Sequence, residues 1–217
     1  MPWDAHLQLD YTVEASRTVA RHQHTGPLRI LQSLYPEGDG ICHNVLVHPP
    51  GGLVGGDTLD IHITARGGAH GLVTTPGATR FYKSDGELAL QRTNIALQGD
   101  ARLEWLPMEA ICYNRCLAEN HLRLTLADAA EFIGWDVTAL GLPQANLPFE
   151  RGNYAQTNLD GLAPGAMGQD CGTAAHLGDL KSIRWVARLY LQLKLLATLM
   201  SPEPLYSWFC WRSCDRP

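Results

Sequence analysis

Charge is scarce in this chain: Asp, Glu, Lys and Arg make up 18% of 217 residues, and the formal net charge is −5. A protein of this size normally carries about a quarter charged residues, so more of its surface than usual is expected to be covered by a partner. The mild acidity argues against a phosphate-backbone binder, which would be basic, and nucleic acid is not an expected partner. Long apolar runs are also missing. The most apolar window, Trp185 to Met200, is interrupted by Arg188 and Lys194 and is short for a membrane span. The start, Met-Pro-Trp-Asp-Ala-His, has neither the basic region nor the apolar core of an export signal. The six cysteines are too scattered for a disulfide scaffold, so a cytoplasmic protein with reduced thiols is expected and no membrane association.

Catalytic signatures are absent as well. No Gly-Lys-Ser/Thr phosphate loop, Gly-x-Gly-x-x-Gly fingerprint or Gly-x-Ser-x-Gly elbow occurs. Nor does a 10–15 residue amphipathic helix interrupt the first 150 residues, which makes parallel α/β units improbable.

What is present is alternation. Leu7, Leu9, Tyr11 and Val13 alternate with polar neighbours, as do Leu59, Ile61, Ile63 and Ala65, and then Leu122, Leu124 and Leu126. That period of two marks strands with one buried face. Shorter candidates are 28–34, 41–48, 69–75, 88–97, 101–106 and 131–140, mostly separated by Gly or Pro. The spacing predicts a mainly β fold of stacked or sandwiched sheets. There is no internal repeat of the kind that marks a regular solenoid. After about Glu150 the period fades, and Asp179–Met200 reads as the one amphipathic helix, stopped by Pro202.

His48 to Asp57, His-Pro-Pro-Gly-Gly-Leu-Val-Gly-Gly-Asp, is the densest turn signal. Pro49 and Pro50 exclude helix and central strand. Gly51, Gly52, Gly55 and Gly56 permit backbone conformations or close approaches that side chains forbid. A second distinctive segment ends a strand at Pro76-Gly77 and then presents Arg80, Phe81, Tyr82 and Lys83. Two cations flanking two aromatics suit a protein-contact patch; a solvated hairpin with its aromatics on the core side fits the residues equally well.

Metal chemistry has two sets of candidates. Cys42-His43 with His48, the pair His22 and His24, and Cys112, Cys116 and His121 supply imidazole and thiol; a surface histidine or a small buried cysteine is the plainer reading of each. In a continuous strand positions 112 and 116 lie ~13 Å apart, too far to share one ion unless a turn intervenes. Asp57, Glu104, Glu109 and Asp136 supply carboxylates beside apolar neighbours, suited to hard or borderline divalent cations if buried and to plain solvent-facing positions otherwise.

These motifs, taken in order, resemble the urease accessory protein family UreD, also called UreH. The resemblance rests on Tyr35-Pro36-Glu37-Gly38, Cys42-His43, the whole of 48–57, 74–84, Glu104-Trp105-Leu106-Pro107 with Glu109, and Gly134-Trp135-Asp136, across about residues 7–152. Met108 and Ala110 stand where the family usually has Gln and Thr, and Arg115-Cys116 where it usually has Gly-Ala. The resemblance implies a UreD-like β domain over 1–152 of elongated, stacked antiparallel or mixed sheets. Residues 153–217, with a helix at about 179–200, are expected to be a divergent or frame-shifted tail.

It also implies a non-catalytic maturation factor. Such a factor binds UreF, which recruits the GTPase UreG, and the complex docks on apo-urease while UreE supplies nickel. No tightly bound cofactor is expected, only Ni²⁺ in transit. A conduit should offer weak successive ligands, because a closed site would trap the ion. Asp57, Glu104, Glu109 and Asp136, with His43 and His48, are the candidate path; Arg80, Phe81, Tyr82 and Lys83 are candidate partner contacts. Two other readings stay open: a small β-barrel metal-dependent enzyme using His43, His48 and a carboxylate, and a purely structural interaction module.

Overall fold

The computed structural model describes residues 2–142, 145–162 and 206–208. Among them run β1 (Asp4–Glu14), β2 (Arg17–Thr25), β3 (Arg29–Ile30), β4 (Ile41–Val47), β5 (Thr58–Ala65), β6 (His70–Thr74), β7 (Thr79–Phe81) and β8 (Ala89–Leu97). They continue as β9 (Arg102–Leu106), β10 (Ala110–Cys112), β11 (Leu117–Leu126), β12 (Glu131–Gly134), β13 (Val137–Leu142), β14 (Leu147–Pro148), β15 (Asn153–Leu162) and β16 (Tyr206–Trp208). The mainly β expectation holds. The helix expected at 179–200 lies outside the described residues.

The strands form three sheets that the chain visits in rotation. The first sheet has the order β15-β11-β8-β5-β1-β2, the second β12-β9-β6-β4-β3, and the third β14-β13-β10-β7, with β16 on β13. From β5 onward the chain passes from first to second to third sheet and back, so strands one coil apart pair in parallel. Among the described strands, β1–β2, β3–β4, β13–β14 and β13–β16 pair antiparallel, and isolated antiparallel bridges join Leu34 to His43 and Lys83 to Cys116. The sheets are therefore mixed, but they belong to a solenoid-like winding that the sequence reading set aside. The reason is visible in the register. Thr58 pairs with Leu90, Leu90 with Glu119 and Glu119 with Ala155, steps of 32, 29 and 36 residues. Coils of unequal length bury similar faces without leaving a sequence period.

The alternating strands stack their apolar residues in rungs across the first sheet. Leu9, Ile63, Ile95 and Leu124 lie side by side, as do Tyr11, Ala65, Leu97 and Leu126. All eight are buried, and each fully buried Leu or Ile contributes roughly 1.5–3 kcal/mol. Val13 is the exception to the expected pattern, exposed at the strand end. Local pattern does not predict β2, β7, β10, β14, β15 or β16. Polar edge residues hide β2, β7 and β10 are three residues long, and β15 lies where no period is visible. The segment read as one strand over 131–140 is two, broken at Trp135-Asp136.

Tyr11 ties the first sheet to the second. Its ring lies against Gly71, where an added Cβ would come within 2.7 Å of the ring. Its hydroxyl donates to Asn44 Oδ1 at 2.8 Å, and Asn44 Nδ2 donates to Ser33 Oγ at 3.0 Å. Tyr11 and Asn44 are wholly buried, so losing the donor leaves a polar oxygen undersatisfied. Tyr11→Phe is expected to cost about 1–2 kcal/mol, seen as a fall of roughly 3–6 °C in thermal midpoint. An unchanged midpoint would show that this bond does not hold the sheets together.

Candidate functional site: the stacked corners and their cavity

The conspicuous sequence motifs are one structural feature repeated. Each coil turns from the second sheet to the third, and the turns are residues 48–52, 75–78, 107–109 and 135–136. His-Pro-Pro-Gly-Gly, Thr-Pro-Gly-Ala, Pro-Met-Glu and Trp-Asp are thus successive layers of one corner. Backbone and hydroxyl groups lock the layers. Leu53 N donates to Arg80 O at 2.7 Å and Tyr82 N to Leu53 O at 2.9 Å. Met108 N donates to Thr75 Oγ1 at 2.9 Å, and Trp135 Nε1 to Pro107 O at 3.0 Å. Gly52 must be glycine for space: a Cβ there would lie 2.8 Å from Arg80 O.

Behind the corners lies a cavity of about 240 Å³. The corner residues His48, Thr75, Pro107, Met108 and Asp136 form one side, and Arg80, Gln91, Trp105 and Asn120 reach it from the sheets. Gln91 and Asn120 occupy an inward rung with Leu59 and Gln156. Gln91 Nε2 donates to Asn120 Oδ1 at 3.3 Å, and Asn120 Nδ2 to Asp136 Oδ2 at 3.3 Å. Beside them Thr138 Oγ1 donates to Gln156 Oε1 at 2.8 Å. His48 Nε2 and Trp105 Nε1 are buried polar atoms without a hydrogen-bond partner among the described residues. Buried groups of this kind call for a ligand, water or ion.

Electrostatics single out Asp136. Burial pushes its carboxyl up from the usual carboxylate range to about 7, partly opposed by the Asn120 amide donor. Burial likewise lowers His48, against a smaller opposing effect of the Asp57 charge.

The six residues expected on a metal path are not brought together. His48 and Asp136 line the cavity. Asp57 is buried at the next corner, its oxygens accepting Trp3 N at 2.7 Å and Val54 N at 2.9 Å; it pins the start of β1 to the His48–Asp57 bend. Glu104 lies on the face of β9 opposite Trp105, its Oε1 3.0 Å from His70 Nε2. His43 pairs with Glu37 at 2.8 Å, half-exposed on β4. Glu109 does not line the cavity; its carbonyl accepts Thr79 N.

The run Arg80–Lys83 divides in the same way. Phe81 is fully buried against Tyr154, so it is core rather than contact surface. Tyr82 stacks on Tyr113, Arg80 faces the cavity and Lys83 is exposed. A turn closed by Cys116 N to Tyr113 O brings Cys112 and Cys116 into side-chain contact. This is the intervening turn that brings positions 112 and 116 closer than a continuous strand would hold them. Their hydrogen bond raises the Cys112 thiol and lowers that of Cys116, while His121 pairs with Glu119 instead. The amide rung of Gln91, Asn120 and Gln156 went unread. Its trace in the sequence is Asn120 sitting in phase with Leu122, Leu124 and Leu126, a polar residue in an inward slot.

Asp136 gives a pH prediction. Between about pH 4 and pH 7 the folded chain keeps a proton that the unfolded chain releases, so stability falls as pH rises through that window and levels off above it. Asp136→Asn keeps an acceptor for Asn120 and removes this cost. The variant is expected to be more stable than the parent near pH 8, by up to about 4 kcal/mol, and equal to it near pH 4. Thermal denaturation across the range checks this, and a difference independent of pH would contradict it.

Comparison with known proteins agrees with the motifs. A family model described as UreD urease accessory protein matches residues 4–159. The urease accessory protein UreD of Variovorax paradoxus (strain S110) is 72% identical over 156 residues, covering 72% of this chain and 56% of that protein. The UreD of Polaromonas sp. (strain JS666 / ATCC BAA-500) is 70% identical over the same shares, and that of Leptothrix cholodnii 56% identical over 158 residues, 72% of this chain and 57% of the relative. The chain spans a little over half the length of these curated relatives.

Proposed function

The chain belongs to the UreD family of urease accessory proteins, and on that premise we propose that it is a non-catalytic scaffold for urease maturation, with nickel as cargo. The observation that carries the reading is the cavity behind the stacked corners. It joins one imidazole, one carboxyl and a rung of amides, and among the described residues neither His48 nor Asp136 belongs to a group of three close ligands. Nickel(II) accepts nitrogen and oxygen ligands, and a passage needs few of them at each point. Asp136 must lose its proton to ligate, so entry of the ion is coupled to proton release.

In this reading His48 and Asp136 touch the ion, Asp57 sets the bend that places His48, and Glu104, Glu109 and His43 act outside the cavity, near its approaches or partner surfaces. The scaffold works in the cytoplasm with UreF and the GTPase UreG, whose GTP hydrolysis supplies the commitment step. Apo-urease receives the nickel that UreE delivers. No helix among the described residues is long and apolar enough to cross a membrane. The rival metal-enzyme reading is weakened by geometry: among the described residues, neither His43 nor His48 belongs to a group of three close ligands.

Co-expression of this chain with a urease operon lacking its own UreD copy tests the proposal. Restored nickel content and urease activity are expected. The pair His48→Ala and Asp136→Ala is expected to lower urease nickel several-fold while leaving co-purification with apo-urease intact. Full nickel loading by the double variant would remove the cavity from the path, and failure of the parent chain to co-purify would overturn the scaffold reading.

A further inference from the structure

We propose that the outward side of the first sheet carries a second metal site, made by His6, Asp60 and His62, that takes a borderline divalent cation such as Ni²⁺, Co²⁺ or Zn²⁺. This goes beyond the maturation reading and does not depend on it. Parallel pairing of β1 with β5 sets His6 directly beside Asp60, and His62 follows two residues later on the same side of β5. Neighbouring strands are about 4.8 Å apart and alternate residues roughly 6.5–7 Å apart along a strand, so the three side chains form a compact triangle. Their ligand atoms all lie within 4.8 Å of one another.

The local geometry is close to what coordination needs. Ligands at ~2.1 Å from one ion stand about 3.0–3.5 Å from each other. His62 Nε2 is already 3.2 Å from Asp60 Oδ1. The His6 and His62 rings are 5.1 Å apart and tilted by 47°, so they converge without stacking flat. A rotamer adjustment of His6 completes the set.

Asp60 supplies an independent observation. Its Oδ2 faces Arg92 Nη2 at 3.5 Å from the neighbouring strand β8, which leaves Oδ1 turned toward the histidines. Oδ1 is buried and accepts no hydrogen bond from the described residues, although His62 Nε2 lies 3.2 Å away. A buried carboxylate oxygen without a donor is costly, and a cation held with two imidazoles would satisfy it. Two nitrogens and one oxygen without thiolate select late first-row divalent ions over Mg²⁺ and Ca²⁺. Three protein ligands leave positions open for water, so the ion would exchange freely.

Equilibrium dialysis of the full chain against nickel chloride, with cobalt(II) absorption as a second readout, tests the site. One exchangeable ion per chain is expected in addition to any held in the cavity. His62→Gln and His6→Gln should each weaken that ion at least tenfold. His48→Ala with Asp136→Asn should leave it unchanged, which separates this site from the proposed path. Arg92→Gln, which removes the competing cation, should tighten binding several-fold. Should a histidine variant fail to fold, nickel protection of His6 and His62 from carbethoxylation in the unaltered chain, read by mass spectrometry, decides the matter. No bound ion in the parent, equal affinity in the folded histidine variants, or no protection of the two rings would each overturn the proposal.

Discussion

The close approach of Leu53 to the Arg80–Tyr82 backbone, through hydrogen bonds of 2.7 and 2.9 Å, is the constraint from which the rest of the corner follows. It brings the first coil onto the second without intervening side chains, and it is possible because residue 52 has no Cβ. Once that layer is fixed, the third is held by the Thr75 hydroxyl under Met108 and the fourth by the Trp135 indole under Pro107. Stacking of unlike turns is possible because each layer uses a different local device to satisfy its backbone. The motifs therefore differ in sequence while sharing one place in the fold.

The same winding grades the interior along the first sheet. The rung containing Tyr11, Ala65, Leu97 and Leu126 is almost wholly apolar, and the next holds Leu9, Ile63, Ile95 and Leu124. Leu7, Ile61, Thr93 and Leu122 bring in one hydroxyl; Ala5, Leu59, Gln91, Asn120 and Gln156 then form a rung with three amides. A solenoid makes such grading simple, because each strand position is multiplied across the coils. Stability concentrates at the apolar end and chemistry at the polar end, where the corners enclose the cavity.

Much of this was legible in the sequence. Alternation located β1, β5 and β11, and the Pro-Gly clusters located the bends, because periodicity and φ restriction are local properties. The winding was not legible, since the coil steps of 32, 29 and 36 residues break any period. Short strands such as β7 and β10 owe their existence to neighbours above and below, which no local window contains. The candidate site was half legible. Residue type identifies His48 and Asp136 as candidate ligands, but only their place in the corners separates them from Glu104 and His43, which lie on strands. The choice between surface and core for Phe81 stays open in the sequence for the same reason: its exposure depends on which side of β7 it leaves.

His6, Asp60 and His62 show the complementary limit. Read along the chain, His6 is isolated and Asp60-x-His62 is an ordinary polar alternation; register alone assembles them. Their chemistry also contrasts with that of the cavity. Among the described residues Asp136 accepts a hydrogen bond from the Asn120 amide, and burial pushes its carboxyl up to about 7, so in the proposed path an ion would compete with its proton. Asp60 lies beside Arg92 and two imidazoles on the outward side of the sheet, where its charge has a partner before any ion arrives. An outer site of that kind offers a cation two imidazole nitrogens and a carboxylate oxygen on one face of the sheet. The cavity also has Arg80 in its lining, a cation that would oppose the charge of any ion held there in the proposed path.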